Sequence, residues 1–133
     1  MTRRTLLVAA LLGAAACARK ETPLKDLLPV QVQREYVLKE THTRPLEEAP
    51  ALARAQGLRR WEIAVYRAKD SITVNVFEMG AEASAFEMMQ KWNKADGVVF
   101  FQGPHFFAVS SADVPRQNLM EFAQDLQVNL KKP

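Results

Sequence analysis

Cysteine is almost missing from this 133-residue chain, which contains one, Cys17. A lone cysteine cannot form an internal disulfide, so the sequence excludes the class of small secreted proteins that disulfides hold together. Glycine and proline are sparse too, with five and seven residues, which excludes collagen-like and low-complexity chains. The remaining composition, 48% hydrophobic and 25% charged, is that of an ordinary globular domain.

Clustered charge of one sign is also missing. The chain has 18 basic and 15 acidic side chains, and two of the basic ones, Arg3 and Arg4, lie near the N-terminus. The rest of the chain therefore carries 16 basic against 15 acidic side chains, a net charge of +1. Nucleic-acid-binding proteins concentrate basic residues on one face, whereas here they are scattered apart from a few pairs. We therefore expect no nucleic-acid partner.

The N-terminal segment carries the first informative pattern. Arg3 and Arg4 precede an uncharged apolar run from Leu6 to Ala16. The run is too short to cross a bilayer, which takes about 20 residues, and it matches the apolar part of a secretory signal. A buried helix of a folded domain would show a polar face, and this run shows none. We therefore predict a signal peptide over residues 1–16 and an exported protein.

Small residues precede the lone cysteine. The segment Ala14-Ala15-Ala16-Cys17 resembles the lipobox of bacterial lipoproteins, in which the cysteine becomes the lipidated N-terminus. The resemblance implies that Cys17 anchors the mature protein in the cell envelope, on the periplasmic side, because two or more acyl chains bind a membrane stably. By analogy with such lipoproteins, Ala18 rather than Asp after the cysteine favours the outer membrane if the cell has two membranes. Ordinary cleavage stays an alternative, because Ala14-x-Ala16 fits the small-x-small rule of signal peptidase.

The mature chain is long enough for one domain and too short for two. We predict a lipidated cysteine and polar tether over residues 17–27 and a single domain over residues 28–133. Residues 30–41 mix β-branched, aromatic and charged side chains, which predicts one or two irregular strands. A short helix is expected between Pro50 and Gly57, because glycine often follows the C-terminus of a helix.

Alternating apolar residues predict an antiparallel hairpin over residues 61–66 and 72–77. With the turn at Lys69-Asp70, the expected cross-strand pairs are Ile63 with Val76 and Val65 with Val74. A helix is predicted after Gly80, with apolar residues at helical spacing: Ala85, Phe86, Met89 and Trp92.

A second hairpin is predicted from Val98–Gln102 and His105–Ser110 around Gly103-Pro104, a pair that suits a tight turn. A last helix follows, with Asp113 as its cap and an apolar stripe made of Leu119, Phe122, Ala123, Leu126 and Leu130. The order strand-strand-helix thus occurs twice. The sequence predicts an α+β domain, an antiparallel sheet with its helices packed on one face.

The second hairpin is apolar on both faces. One face would carry Val99, Phe101, Phe106 and Ala108, and the other Val98, Phe100, Phe107 and Val109. A sheet with helices on one side should show polar residues on its open side, so something must cover the second face. The candidates are residues 30–58 of this chain, a second copy and another protein.

A set of mostly apolar positions runs from Leu28 to Leu130. It comprises Leu28-Pro29, Gly57, Tyr66, Val74-x-Val76-Phe77-x-Met79, Gly80-Ala81, Ala85-Phe86, Trp92 and Phe106-Phe107. With these residues the chain resembles an uncharacterised family of exported bacterial proteins, described as a domain of unknown function. The resemblance implies export and fold class, and it supplies no catalytic residue.

No catalytic constellation is visible in the sequence. His42 and His105 are far apart, and His105, at the start of a strand beside a turn, is expected to be an edge residue. Glu78 is expected across from Trp61 and near Arg60, where a surface ion pair accounts for it. We therefore predict no catalytic residues, no cofactor and no metal site. Copper is a remote alternative, held by His105 with Met79, Met88, Met89 and Met120.

The main hypothesis is a lipid-anchored, non-catalytic module of the cell envelope. It would contact another envelope protein, or a second copy of itself, through the second hairpin. The alternative is a carrier of a small apolar ligand, bound in a pocket between sheet and helices. The residues expected at the contact or the pocket are Phe77, Trp92, Val98, Phe100, Phe107 and Val109.

Overall fold

The computed structural model describes residues 23–131, so the predicted signal peptide, Cys17 and the start of the tether lie outside the described residues. The described chain forms six strands: β1 (Gln31–Val32), β2 (Tyr36–Thr43), β3 (Leu58–Arg67), β4 (Ser71–Met79), β5 (Val98–Gln102) and β6 (His105–Ser110). It also forms three α-helices: α1 (Ala51–Ala55), α2 (Glu82–Lys91) and α3 (Arg116–Val128). Short 3-10 helices span Leu24–Leu27, Leu46–Glu48 and Lys94–Asp96.

The strands form one antiparallel sheet in the order β1-β2-β3-β4-β6-β5. The sheet curls into a half-barrel, and the predicted α+β class with an antiparallel sheet is confirmed. Pairing between β4 and β6 joins the two hairpins at the centre of the sheet. This pairing leaves β5 at one edge of the sheet and β1 at the other.

The helices lie on opposite faces of the sheet. We call one the α3 face, where α3 packs against the side chains of Val74, Val76 and Phe107. We call the other the α2 face, where α2 packs against Phe77 and Phe106. The prediction that all helices share one face is wrong. The central strands are apolar on both sides, so each side needs a helix to remove it from water.

The strand-strand-helix repeat is not a structural repeat. β1, β2 and α1 belong to neither predicted half. The helices that follow the two hairpins also pack on opposite sides of the sheet. The two halves therefore do not make equivalent contacts.

The register of the first hairpin differs from the prediction by one residue. A three-residue loop, 68–70, connects β3 and β4 in place of a turn centred on Lys69-Asp70 alone. The observed pairs are Ile63 with Asn75 and Val65 with Thr73, instead of the predicted Val76 and Val74. A shift of one residue moves a side chain to the other face of a sheet. Ile63 and Val76 therefore lie on opposite faces, in different cores.

The second hairpin has the predicted bounds and register. Val98 pairs with Val109 and Phe100 with Phe107, around the two-residue turn Gly103-Pro104. Gly103 has φ +57°, a left-handed conformation that glycine adopts without strain. Both faces of this hairpin are covered, one mainly by α2 and the other mainly by α3. Residues 30–58, the expected cover of the second face, are not the main cover of either.

The folded domain begins closer to the N-terminus than predicted. Leu24 and Leu27, inside the segment predicted as a tether, are buried in the core on the α3 face. The irregular strands expected over residues 30–41 are β1 and β2. The short helix expected before Gly57 is α1, and Gly57 has φ +87°.

The start of α3 differs from the prediction. The helix begins at Arg116 after Pro115, and no side chain caps it. Asp113 is therefore not the cap. The hydroxyl oxygen of Ser111 instead accepts hydrogen bonds from the backbone N–H groups of Asp113 and Val114, both at 3.2 Å.

Candidate functional site

The predicted contact or pocket residues lie inside the domain, on two sides of the sheet. Phe77 and Trp92 belong to the core on the α2 face, with ring centroids 5.8 Å apart. Phe100 and Phe107 belong to the core on the α3 face, where their rings stack at 4.6 Å. The sheet separates the two pairs, so these four rings do not line one pocket.

The faces of the second hairpin are not free to bind a partner. Phe107 is 1% exposed and Val109 is fully buried, while Val98 is partly buried against the same core. The helices of this chain already cover both faces. What the hairpin presents to its surroundings is the outer edge of β5.

The edge of β5 carries hydrogen-bonding groups that point away from the sheet. A two-residue turn makes Gln102 and His105 a hydrogen-bonded pair, and such pairs alternate along an antiparallel ladder. The backbone N–H and C=O groups of Val99 and Phe101 therefore point away from β6. No strand of the described residues pairs with this side of β5.

The sequence of β5 lacks the residues that usually prevent an edge strand from pairing with another chain. β5 reads Val-Val-Phe-Phe-Gln, without charge and without proline. Edge strands of natural proteins are usually guarded by lysine, proline, a bulge or a covering segment. An uncharged, apolar edge strand is typical of a site that binds another strand.

Both helices add exposed apolar side chains beside β5. Phe86 of α2 is 40% exposed and contacts the ring of Phe101 edge-on at 5.7 Å. Met120 of α3 is 41% exposed, and it lines a cavity of about 180 Å³ together with Met89 and Val99. We call the outward edge of β5, with Phe86, Met89 and Met120, the β5 edge surface.

Two cationic residues lie at the N-terminal end of β5. Lys94 and Arg116 line the same cavity. The guanidinium of Arg116 donates hydrogen bonds of 3.0 Å to the backbone oxygens of Lys94 and Gly97. These bonds attach the loop before β5 to the start of α3, and they place two cationic side chains at that end of the edge.

A second cluster holds three ionisable side chains on the α3 face. Arg60, Glu78 and His105 occupy matching positions on β3, β4 and β6. Arg60 donates two hydrogen bonds to the Glu78 carboxylate, 2.6 Å from Nε and 2.9 Å from a terminal nitrogen. The Nε2 atom of His105 lies 3.6 Å from Oε1 of Glu78, a contact too long for a hydrogen bond.

The surroundings of this cluster fix its charge states. The hydrogen bonds from Arg60 lower the pKa of Glu78 against the opposing effect of burial. Burial lowers the pKa of His105, and the negative charge of Glu78 offsets only part of that shift. At neutral pH the cluster therefore holds a carboxylate, a guanidinium and a neutral imidazole.

A small cavity of about 110 Å³ lies beside His105. Its lining residues are Leu27, Gln102, Gly103, Pro104, His105, Phe107, Leu130 and Lys131. No serine, threonine, cysteine or carboxylate lines it within residues 23–131. The cavity is mostly apolar, and the ion cluster of Arg60, Glu78 and His105 lies beside it.

The sequence-based expectations for this cluster were partly correct. The ion pair between Arg60 and Glu78 is confirmed, although it is partly buried and Glu78 lies opposite Arg60 rather than Trp61. The expectation that His105 is an edge residue is wrong, because β6 lies between β4 and β5 and His105 is 7% exposed. No local sequence pattern could reveal the contact between Glu78 and His105, since β4 and β6 are not consecutive strands.

The residues considered for copper do not meet at one site with His105. Met79 and Met88 are buried on the α2 face, and Met89 packs against the same core. Met120 belongs to α3 and His105 faces the opposite side of the sheet. Among the described residues, no three histidine, cysteine, aspartate or glutamate side chains are placed to hold a metal ion.

We find no match to this chain among models of known protein families, curated proteins or solved structures. Within the part of the chain that the structure describes, no helix is both long and apolar enough to span a bilayer.

Proposed function

We propose that this protein is a lipid-anchored, non-catalytic module of the cell envelope that contacts another envelope protein through the outer edge of its second hairpin. The observation that carries the contact is the β5 edge surface. It combines unpaired backbone groups with an uncharged apolar strand and exposed apolar side chains. Those are the features that strand-addition sites share.

The anchoring part of the proposal rests on the N-terminal sequence. Residues 1–16 have the pattern of a signal peptide, and Cys17 follows three alanines. Cys17 lies six residues before Pro23, the first described residue. Even a fully extended segment of that length spans at most about 20 Å, so a lipid on Cys17 would hold the domain close to the membrane. Two identical modules, or a module and another anchored protein, would then meet in one plane.

Detergent partitioning tests the anchor. The full chain, expressed in a bacterial host, is expected to incorporate labelled palmitate and to enter the detergent phase of a phase-separating detergent. Cys17→Ala removes the only sulfur that can carry the lipid, so it should abolish the label and move the protein to the aqueous phase. Val128→Ala, which alters a side chain that is 82% exposed, is the matched control and should behave like the parent. Retention of Cys17→Ala in the detergent phase would show that the anchor is assigned wrongly.

Photo-cross-linking in intact cells tests the contact. A photoreactive residue at Val99, whose side chain is partly buried on the α2 face beside the outer edge of β5, is expected to give a specific protein adduct. The same residue at Val128, on the exposed side of α3, is the control and should give none. Phe100 and Phe107 are unsuitable positions, because both are buried and would report contacts within the chain. Equal labelling patterns at Val99 and Val128 would argue against a contact at the edge.

A carrier of a small apolar ligand is the second candidate, supported by the mostly apolar cavity beside His105. At about 110 Å³ it suits only a small molecule or the end of a chain, since drug-sized ligands occupy about 300 Å³ or more. Native mass spectrometry of the detergent-extracted protein is expected to show a bound mass that Leu130→Trp removes. A single unliganded mass in the parent would exclude this candidate.

A further inference from the structure

We infer that the partner at the β5 edge surface is a second copy of this chain, paired β5 to β5 in antiparallel orientation around a two-fold axis at Phe100. The inference rests on the proposed function for the choice of the edge as the contact surface. It deepens that function by naming the partner, and it does not depend on the lipid anchor.

Hydrogen bonding favours this pairing because the outward groups of β5 satisfy one another. With the axis at Phe100, Val99 of one copy lies opposite Phe101 of the other, and the reverse. Both residues direct their N–H and C=O groups outward, so each of the two pairs exchanges two hydrogen bonds. The four bonds use every outward backbone group of the two central positions. If the register shifted by one residue, each residue whose backbone groups point outward would face a residue whose groups already bond to β6. The hydrogen bonds between the two copies would then be lost.

The side chains are compatible with the same arrangement. No charge lies on β5, so self-pairing opposes no like charges on the strand. Val99 and Phe101 of the two copies would form β-branched and aromatic cross-strand pairs, which stabilise sheets. The result is a continuous twelve-stranded sheet with β5 of each copy at its centre.

Charge on α2 is complementary across the axis. α2 runs beside β5, because Phe86 contacts Phe101 while Met89 lines the same cavity as Val99. Glu82 lies one helical turn before Phe86, and Lys94 follows the other end of the helix. The two-fold axis is perpendicular to the sheet, so α2 of each copy lies on the same side in opposite directions. This brings the Glu82 end of one copy towards the Lys94 end of the other.

The two edges of the sheet differ in a way that favours pairing at β5. β1, at the opposite edge, is two residues long and ends in a turn where Gln33 and Arg34 have positive φ. A strand this short offers little template for another chain. The pairing is expected to hold in detergent as well, and the lipid anchor proposed above would further raise the effective concentration of the copies.

The oligomeric state of the full chain in detergent tests the inference. Size-exclusion chromatography with light scattering is expected to give a polypeptide mass twice that of one copy, falling to one copy on dilution. Val99→Pro removes an outward N–H that β6 does not use, so the hairpin ladder stays intact. It should raise the dissociation constant at least about tenfold, because it deletes two hydrogen bonds per dimer. Val99→Thr keeps the N–H and the β-branched shape and should still dimerise.

A second variant protects the test against misfolding. If circular dichroism shows that Val99→Pro has lost the fold, Phe101→Lys, which places a charge at a partly buried position beside Phe86 on this edge, should also give a monomer. In cells, a photoreactive residue at Val99 should give an adduct of twice the monomer mass that contains the peptide around Phe101.

The outcomes separate the inference from the proposed function. A monomeric parent at all concentrations, or a dimer that Val99→Pro and Phe101→Lys leave unchanged, would overturn the pairing. An adduct at Val99 that contains only a different protein would overturn the second copy as partner and leave the proposed contact standing. A dimer formed by a chain that never reaches the membrane would support the pairing and refute the envelope role.

Discussion

Glu78 and His105 lie directly opposite each other on β4 and β6, with 3.6 Å between the carboxylate oxygen Oε1 and the imidazole Nε2. Arg60 holds the same carboxylate from the other side, on β3. The three side chains connect three adjacent strands at one end of the sheet. Because burial and charge shift the pKa values of two of them, the stability of the sheet should depend on pH.

Acid should destabilise the protein first through His105. Burial lowers the pKa of His105 below its ordinary value of 6.5. As the pH falls below 6.5, the unfolded chain therefore binds a proton that the folded protein does not, and the free energy of unfolding decreases. Urea denaturation over a pH series should show this loss in the parent and a flatter curve for His105→Gln just below pH 6.5. Parallel curves for the two proteins would contradict the assignment.

Replacing Glu78 by glutamine should lower the free energy of unfolding by about 2 kcal/mol at neutral pH, since a charged double hydrogen bond to Arg60 is lost. The pKa of Glu78 is lowered from its ordinary value of 4.5. The stabilisation is therefore present above pH 4.5 and disappears as the parent carboxylate is protonated below it. Glu121→Gln, on the exposed side of α3, is the control and should change stability by less than about 0.5 kcal/mol. A difference between parent and Glu78→Gln that persists in strong acid would show that packing, not charge, is involved.

Tyr66→Phe should loosen the N-terminal segment. The buried hydroxyl of Tyr66 donates a 2.7 Å hydrogen bond to the backbone oxygen of Pro29, and burial raises its pKa. Removing the hydroxyl leaves that oxygen without its donor, which should cost about 1–3 kcal/mol. Hydrogen exchange should become faster in residues 28–31 than in β4. Tyr36→Phe is the control, because Tyr36 stacks edge-on against Phe122 at 5.3 Å and its hydroxyl makes no hydrogen bond within residues 23–131.

Gly97→Ala should displace β5 from β6. Gly97 has φ +138°, and a Cβ atom there would overlap the backbone oxygen of Val109. The strained backbone alone costs about 1–3 kcal/mol, and the overlap adds to it. Gly80→Ala is the matched control, since Gly80 has no positive φ and a Cβ atom there would meet its nearest neighbour, the backbone oxygen of Gly57, at 3.7 Å, an ordinary contact. Thermal denaturation should show a large loss for Gly97→Ala and a small change for Gly80→Ala, and equal losses would contradict the clash with Val109.

The two hairpins show what local sequence can and cannot specify. Gly103-Pro104 is a two-residue turn, and a turn of fixed length sets the register of its strands, so the pairs of the second hairpin were predicted correctly. The first hairpin has no such signal, because residues 68–70 contain neither glycine nor proline. Its loop is one residue longer than the predicted turn, and the whole register shifts with it.

The ion cluster and the β5 edge surface could not be located from the sequence for a different reason. Both depend on which non-consecutive strands are neighbours. Pairing of β4 with β6 buries His105 between two strands, and the same pairing leaves β5 outside. Periodicity identifies strands, whereas the order of strands in a sheet depends on contacts between distant residues.

The amino-acid sequence alone was enough to predict the mixed helix and sheet content, the strands and turn of the second hairpin and its two apolar faces, because alternation, turn residues and helical spacing are properties of neighbouring residues. The tertiary structure decided that α2 and α3 cover opposite faces, that Arg60, Glu78 and His105 meet, and that β5 is the exposed edge. Each of these depends on how distant segments share the burial of apolar surface, and no short stretch of sequence contains that information.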